Sequence, residues 1–143
     1  MKIIVLKFGG TSIGSIHRIK KVARIVKSYT KKYRVIILSS AMSGTTNKLI
    51  DMSKKISDNF ADNEYDTLVS AGEQISCSLL AGQLIENGIQ ARSLMAWQIP
   101  IITEGQHKYS RIKYIYKKRV LKFLNSGGCL LYTSDAADEE DSV

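Results

Sequence analysis

Residues 3–12 of the chain read IIVLKFGGTS, and this stretch decides the fold class. Residues 3–6 form a continuous, mostly β-branched apolar run, which is typical of a buried strand. The two glycines that follow indicate a tight loop. From residue 16 to residue 29, apolar side chains then recur at the spacing of one helical face. The N-terminal part therefore predicts a strand, a glycine loop and a helix.

The same alternation continues along the chain. The pattern predicts further strands or short apolar pieces at 35–38, 91–95, 99–102 and 129–132, helices through 49–56, 68–86 and 112–124, and a polar connection at 58–66. Strands alternating with helices predict an α/β fold: a three-layer, Rossmann-like sandwich with a mainly parallel sheet. Because such sheets bind ligands at the C-terminal ends of their strands, chemistry is expected in the loops after Leu6 and Leu38.

The glycine loop after the first strand is the strongest chemical signal. Gly9 and Gly10 lack the Cβ that would block close approach, so their N–H groups can point at phosphate oxygens. Lys7 would add a cation beside a transferring phosphoryl group. The lysine precedes the glycines, which excludes a Walker motif. By itself, a Gly-Gly turn is equally common as a purely structural feature.

Composition favours one ordinary globular domain. The 143 residues are 44% hydrophobic and carry a net charge of +8, but the basic residues are spread over predicted helices. No nucleic-acid partner is therefore predicted. The first apolar run is too short for a signal peptide or a membrane span, so we expect a cytoplasmic location and no membrane partner. The spacing of Cys77, Cys129, His17 and His107 predicts no metal site.

Four blocks carry a family resemblance: VLKFGGTS at 5–12, SSAMSGTTN at 39–47, SAGEQIS at 70–76, and AWQ at 96–98 with the segment to Thr103. In this order and spacing they resemble the aspartate kinases, members of the amino-acid kinase fold. The resemblance covers about residues 2–126.

The resemblance implies a site and a reaction. ATP phosphates would be bound, with Mg²⁺ held through them, by the catalytic Lys7 together with Phe8, Gly9 and Gly10. L-aspartate would be bound by Thr11, Ser12, Ser40, Ala41, Thr46 and Glu73, with Glu73 contacting the amino group. The expected product is 4-phospho-L-aspartate, made in the first step of lysine, threonine and methionine biosynthesis. A homo-oligomer is possible by the same resemblance.

The residues themselves leave alternatives for three of these positions. Glu73 shares a helical row with Val69, Cys77 and Leu80, and a carboxylate in an apolar row needs a partner, although a surface glutamate is the plainer interpretation. Ser40 and Thr46 follow a strand, where small hydroxyl residues are common as helix caps or turn formers.

The C-terminal segment departs from the family pattern. We expect residues 1–128 to be the N-terminal portion of the kinase domain, and residues 129–143 to be an atypical strand with an acidic tail, in which positions 135–141 hold five of the 13 acidic residues. A solvated tail is favoured over a metal site. The chain alone is then expected to be inactive. Another amino-acid kinase, or a ligand-binding or structural half-domain, remains the alternative.

Overall fold

The computed structural model describes residues 1–104 and 111–133 of the chain. Strands and helices alternate in it, and the elements are β1 (Ile3–Phe8), α1 (Ile16–Thr30), β2 (Arg34–Ser39), α2 (Thr45–Ile56), α3 (Asp62–Glu86), β3 (Ala91–Leu94), β4 (Ile101–Glu104), β5 (Arg111–Ile115), α4 (Lys118–Asn125) and β6 (Cys129–Thr133). Ser15 caps α1 by accepting a hydrogen bond from the backbone N–H of Arg18 at 3.3 Å. Gly88, at φ 80°, follows the end of α3.

The main sheet has four parallel strands in the order β1-β2-β6-β3. The strand predicted at 129–132 is therefore internal, between β2 and β3. β4 and β5 form a separate antiparallel pair. All four strands of the main sheet end at the same edge, so the β1–α1 and β2–α2 loops are neighbours.

Helices cover both faces of the sheet and confirm the predicted three-layer α/β fold. On one face, α1 and α3 bury the larger core, whose buried members are Ile13, Ile19, Val22, Ala23, Val26, Val35, Ile37, Cys77, Leu80, Ala81, Leu84, Cys129 and Leu131. On the other face, α4 contributes Leu124 to a smaller core with Leu94, Ile99 and Leu130. Burying these side chains removes apolar surface from water, which is the main force that holds the layers together.

Two predicted segments differ from the structure. The polar connection predicted at 58–66 is shorter, because α3 already begins at Asp62. Asp62 and Glu64 lie in its first turn, where acidic side chains interact favourably with the helix dipole. Their polarity therefore reflects an exposed helix start rather than a loop.

The helix predicted at 112–124 is wrong in its first half. Residues 111–115 form β5, and only Lys118–Asn125 is helical. Ile112, Tyr114 and Tyr116 also fit the two-residue period of a strand, and isoleucine and tyrosine favour strands. Pairing with β4 decides between the two periods.

Further predictions from the sequence concern the C-terminal part of the chain. The acidic tail at 135–141 lies outside the described residues, as does His107. The division of the chain at residue 128 stays a prediction, although β6 packs as part of the sheet. Among the helices of the described ranges, none has the length and apolar character to cross a bilayer.

Candidate functional site

The β1–α1 and β2–α2 loops are joined by main-chain hydrogen bonds. The N–H of Ser40 donates to the carbonyl of Phe8 at 3.2 Å, and the N–H of Ser43 donates to the carbonyl of Gly10 at 3.1 Å. The first bond extends the β1–β2 pairing beyond the last ladder residue. The second holds the two loops side by side at the C-terminal edge of the sheet, where the fold class predicts a site.

A cleft of about 370 Å³ opens between these loops. It is lined by Gly9, Gly10, Thr11, Ala41, Met42, Ser43, Gly44, Thr46 and Asn47. More of its surface is polar than apolar. A polar cleft walled largely by loop backbone is suited to a small, charged ligand rather than to an apolar one.

The N-terminus of α2 forms one wall of the cleft. Gly44 is the N-cap at φ 79° and supplies no side-chain acceptor. The N–H groups of Thr46 and Asn47 lie in the first helical turn, which has no intrahelical acceptors. No acidic side chain occupies that turn. The backbone partial charge at this wall is therefore positive and favours an anion.

The two glycines of the first loop have different surroundings. A Cβ at Gly10 would lie 2.6 Å from the carbonyl oxygen of Ala41, whereas a Cβ at Gly9 would have no neighbour within 4 Å. Gly10 is therefore required by the contact between the loops, and Gly9 stands open to the solvent. The turn is closed by the N–H of Ser12, which donates to the carbonyl of Gly9 at 2.9 Å.

Arg18 of α1 also holds the first loop. Its guanidinium donates to the backbone carbonyl of Thr11, one of the residues that line the cleft. This bond satisfies the carbonyl of Thr11 and ties the end of the first loop to α1. The sequence does not reveal this link, because Arg18 looks like any other basic residue on the polar face of α1.

Helix α3 closes the rear of the second loop. A Cβ at Gly72 would lie 3.1 Å from the Cβ of Ala41 and 3.3 Å from the Cγ2 of Thr45. The neighbouring Glu73 is only 6% exposed. The surface-glutamate interpretation of Glu73 is thus wrong, since the carboxylate lies beside the packing contact between α3 and the β2–α2 loop.

Buried hydroxyl groups lie under the same loop. The Oγ of Ser76 donates to the carbonyl of Ser40 at 2.7 Å and lies 3.3 Å from the Oγ of Ser39. Burial, with a smaller contribution from the charge of Glu73, raises the pKa of Cys77 to about 12, against the opposing effect of a hydrogen bond with Ser39. A buried neutral thiol is a poor nucleophile, so Cys77 is a packing residue.

The ten predicted site residues fall into three groups. Five line the cleft: Gly9, Gly10, Thr11, Ala41 and Thr46. Two are buried: Ser40 within the second loop and Glu73 on α3 behind it. The other three, Lys7, Phe8 and Ser12, do not line it.

The last group differs in where its side chains lie. Ile4, Leu6 and Phe8 pack against the larger core, so the side chain of Phe8 is committed there and only its main chain is available to a ligand. By strand alternation, Lys7 lies on the opposite face of β1, one residue before the end of the strand. Ser12 is exposed at the end of the glycine turn.

The helix-cap alternative fails for Thr46, which is the second residue of α2 behind the N-cap Gly44. For Ser40, no helix starts at the following residues 41–44. Sequence reasoning missed Met42, Ser43, Gly44 and Asn47 as cleft residues. Met42, Ser43 and Gly44 lie between two predicted site residues of one block and Asn47 directly follows the second, and this position was the available signal.

The described residues contain no group of three or more His, Cys, Asp and Glu side chains placed to hold a metal ion. Both cysteines are buried and free, and burial raises the pKa of Cys129 to about 12. In the part of the chain that the structure describes, the cleft therefore offers backbone amides and hydroxyl groups rather than a carboxylate cage.

The comparisons with known proteins agree on one family. The model of the amino acid kinase family matches residues 2–141. The aspartokinase of Geobacillus stearothermophilus is 44% identical over 132 residues, which are 92% of this chain and 32% of that protein. The chain thus spans about a third of the length of this relative.

Solved structures agree with the sequence relatives. The crystal structure of aspartate kinase from Synechocystis is similar with a TM-score of 0.75 and 34% identity, over 91% of this chain and 21% of that one. The structure of E. coli aspartokinase III in complex with aspartate and ADP has a TM-score of 0.71 over 96% of this chain and 42% of that one. At 20% identity, this second likeness concerns the fold alone.

Proposed function

The chain belongs to the amino acid kinase family, and we propose that it is the N-terminal part of an aspartate kinase. The intact enzyme would transfer the γ-phosphate of ATP to the side-chain carboxylate of L-aspartate, giving 4-phospho-L-aspartate. One observation carries the proposal: the two loops that resemble the family's site blocks form a single anion-favouring cleft. The 44% identity to an aspartokinase supports the choice of acceptor.

The phosphate side of the site would be built from the first loop and the start of α2. Gly9, which has open space where a Cβ would stand, would let phosphate oxygens approach the backbone closely. The first-turn N–H groups of α2 would donate hydrogen bonds to the phosphate oxygens from the opposite wall. Lys7 would reach the same edge from the end of β1 on its long stem and neutralise charge on the transferring phosphoryl group.

The acceptor side would be built around the second loop. Glu73 would contact the amino group of aspartate, and its burial next to Gly72, where α3 packs against the β2–α2 loop, supports this role. Ser40, Ala41 and Thr46 would surround the substrate from the β2–α2 loop. Thr11 and Ser12 would do so from the end of the glycine turn.

The chemistry requires positioning rather than a base. The aspartate side chain is ionised at neutral pH, so its carboxylate oxygen is already a nucleophile. The protein must align this oxygen with the γ-phosphorus and neutralise the charge that spreads over the phosphoryl oxygens. A Mg²⁺ ion would be held through the nucleotide phosphates, since the described residues offer no carboxylate cluster, and would add to that neutralisation.

The proposal extends to the chain as a whole. We propose that residues 1–128 follow the family pattern, that the departure lies within 129–143, and that this chain alone is inactive. Cytoplasmic location and a homo-oligomeric whole enzyme belong to the same proposal. The nucleotide-base pocket would then come from outside this segment.

A binding experiment tests the phosphate side directly. Inorganic tripolyphosphate is the sharpest probe, because it presents the phosphates of ATP without a base. Titrated into the ¹⁵N-labelled chain with Mg²⁺, it should shift the amide signals of Gly9, Gly10 and residues 42–47 with a dissociation constant in about the millimolar range. The amide of Gly88, at the far end of α3, should not move.

A lysine pair gives the matched control. Lys7→Gln should weaken tripolyphosphate binding about tenfold, since a charge-assisted contact is lost. Lys2→Gln removes the same charge just before the other end of β1 and should leave binding within about twofold. Equal losses of tripolyphosphate affinity in both variants would mean that Lys7 contributes only through the overall positive charge of the chain. Saturable shifts away from the two loops would contradict the site.

A chimera tests the reaction. Residues 1–133 would be joined to the remaining part of the Geobacillus stearothermophilus aspartokinase, with that intact enzyme as the control. ADP release that depends on aspartate and not on glutamate is the expected result. Activity with glutamate alone would favour another amino-acid kinase. A folded chimera without activity would contradict the proposal.

A further inference from the structure

Ser76 is a fully buried hydroxyl that joins α3 to the second loop of the cleft. Its exposed fraction is 0%, and its Oγ lies 2.7 Å from the carbonyl oxygen of Ser40 and 2.9 Å from that of Glu73. A hydroxyl has one proton, so it donates fully to one of these acceptors at a time. The shorter contact, to Ser40, joins α3 to the β2–α2 loop, whereas the contact to Glu73 lies within α3.

The peptide of Ser40 is the point at which three elements meet. Its N–H donates to the carbonyl of Phe8 at the end of β1, and the carbonyl of the same residue accepts from Ser76. The next residue, Ala41, lines the cleft. Ser39 adds a second hydroxyl 3.3 Å from the Oγ of Ser76. Movement of the Ser40 peptide would therefore move the cleft wall.

The hydrogen bond between Ser76 and Ser40 also fixes the distance between α3 and the β2–α2 loop. Gly72 permits α3 to approach Ala41 closely, and one turn later Ser76 forms the hydrogen bond to Ser40. Glu73 lies between these two contacts. The backbone of α3 at Glu73 is thus fixed by a packing contact on one side and by a hydrogen bond on the other.

We propose that Ser76 is a positioning residue for the acceptor side of the site, which sets the distance between Glu73 and the β2–α2 loop without touching the ligand. This rests on the proposed function for the identity of the acceptor, and on the hydrogen bonds alone for the positioning. The Ser76 hydroxyl determines the affinity for the amino acid and affects phosphate binding much less. The phosphate side would be built from Gly9 and the first turn of α2, where the N–H of Thr45 donates to the carbonyl of Met42, and the first loop is also held by bonds from Ser43 and Arg18.

The first arm of the test is amide hydrogen exchange on the full 143-residue chain without ligand. In Ser76→Ala, the Ser40 amide, which bonds to Phe8, should exchange at least about tenfold faster, while the core amide of Ile37 changes by less than about twofold. Ser78→Ala, on the exposed side of the same helix, should change neither amide. Ser76→Cys fills the site with a larger, weakly donating thiol and should also accelerate exchange at Ser40, which covers the case in which the alanine variant does not fold.

Equal acceleration at Ser40 and Ile37 would mean that Ser76 contributes only to global stability, and the positioning role would be wrong. Unchanged exchange at Ser40 would also overturn it. Both outcomes are independent of any ligand.

The second arm measures binding of L-aspartate and of tripolyphosphate to the same variants. Ser76→Ala should weaken aspartate about tenfold and change tripolyphosphate less than about twofold, with Ser78→Ala changing neither. Parallel weakening of both ligands would contradict the assignment to the acceptor side. If the unsubstituted chain binds neither ligand, the proposed function fails for this chain, and the exchange arm alone decides the role of Ser76.

Discussion

The two glycines of the first loop give the most informative single test of this structure. The sequence treats Gly9 and Gly10 alike, but their surroundings differ: a Cβ at Gly10 would lie 2.6 Å from the Ala41 carbonyl oxygen and 3.3 Å from the Ser43 nitrogen, and one at Gly9 would meet nothing. Neither glycine has a positive φ. Gly10→Ala and Gly9→Ala therefore differ only in the contact that the added methyl group makes.

The size of the effect follows from that contact. Cβ atoms essentially never approach another atom more closely than 3.0 Å, so the two loops would have to separate by about 0.4 Å or more. Both neighbours are backbone atoms, which cannot rotate away. Overpacking of this kind costs about 1–3 kcal/mol, while the loss of unfolded-state entropy is the same in both variants and cancels. Gly10→Ala should thus be less stable than Gly9→Ala by about 2 kcal/mol.

Urea unfolding followed by circular dichroism measures this difference. With a slope of about 2 kcal/mol per molar urea, the midpoint of Gly10→Ala should lie about 1 M below that of Gly9→Ala. Gly9→Ala should be more stable than the unsubstituted chain by up to about 1 kcal/mol, because alanine lowers the entropy of the unfolded state. It should bind tripolyphosphate more weakly, because its methyl group projects into the open space. Equal midpoints for the two variants would refute the close contact between the loops and the cleft that depends on it.

Two further predictions concern the cores and the helix caps. Burial raises the pKa values of Cys77 and Cys129 from 9.0 to about 12, so the stabilisation from keeping these thiols neutral is complete below pH 9.0 and is lost as the pH rises towards 12, by about 1.4 kcal/mol per pH unit for each thiol. Above pH 9.0, the urea midpoint should therefore fall less steeply with pH in a variant with alanine in place of both cysteines. An equal slope in the variant and the unsubstituted chain would contradict the burial of the thiols. Ser15→Ala removes the cap that accepts from Arg18 and should cost about 1 kcal/mol in the same assay, whereas Ser70→Ala, exposed in α3, should cost less than about 0.5 kcal/mol.

Local sequence patterns predicted an element correctly where a single periodicity, that of a strand or that of a helix, dominates the segment. β1, α1 and β2 lie where the apolar runs and the helical spacing predict them, with ends that differ by one or two residues. The stretch from residue 111 to residue 116 fits both a helix and a strand, and the partner β4 decides in favour of the strand. Hydrogen bonding to a distant segment overrides a weak local preference, so no local pattern could have settled this element.

The candidate site likewise has some features that the sequence predicts and others that depend on distant segments of the chain. The prediction that chemistry lies in the loops after the first two strands rests on a general property of parallel sheets, and the structure shows these two loops side by side. The opposite directions of Lys7 and Phe8 also follow from strand alternation. In contrast, the bond between Ser76 and Ser40 joins residues 36 positions apart, and no spacing rule relates them. The need for a glycine at position 10 but not at position 9 depends equally on a distant carbonyl.

By itself, the amino-acid sequence determined the order of strands and helices except for β5, the parallel sheet and the loops that carry the site, because these depend on local periodicities in the chain. Only the tertiary structure decided which side chains face the cleft, which glycine is sterically required and how α3 holds Glu73 against the second loop. Such contacts form when segments far apart in the chain pack together, and their distances are set by the whole core rather than by any one segment.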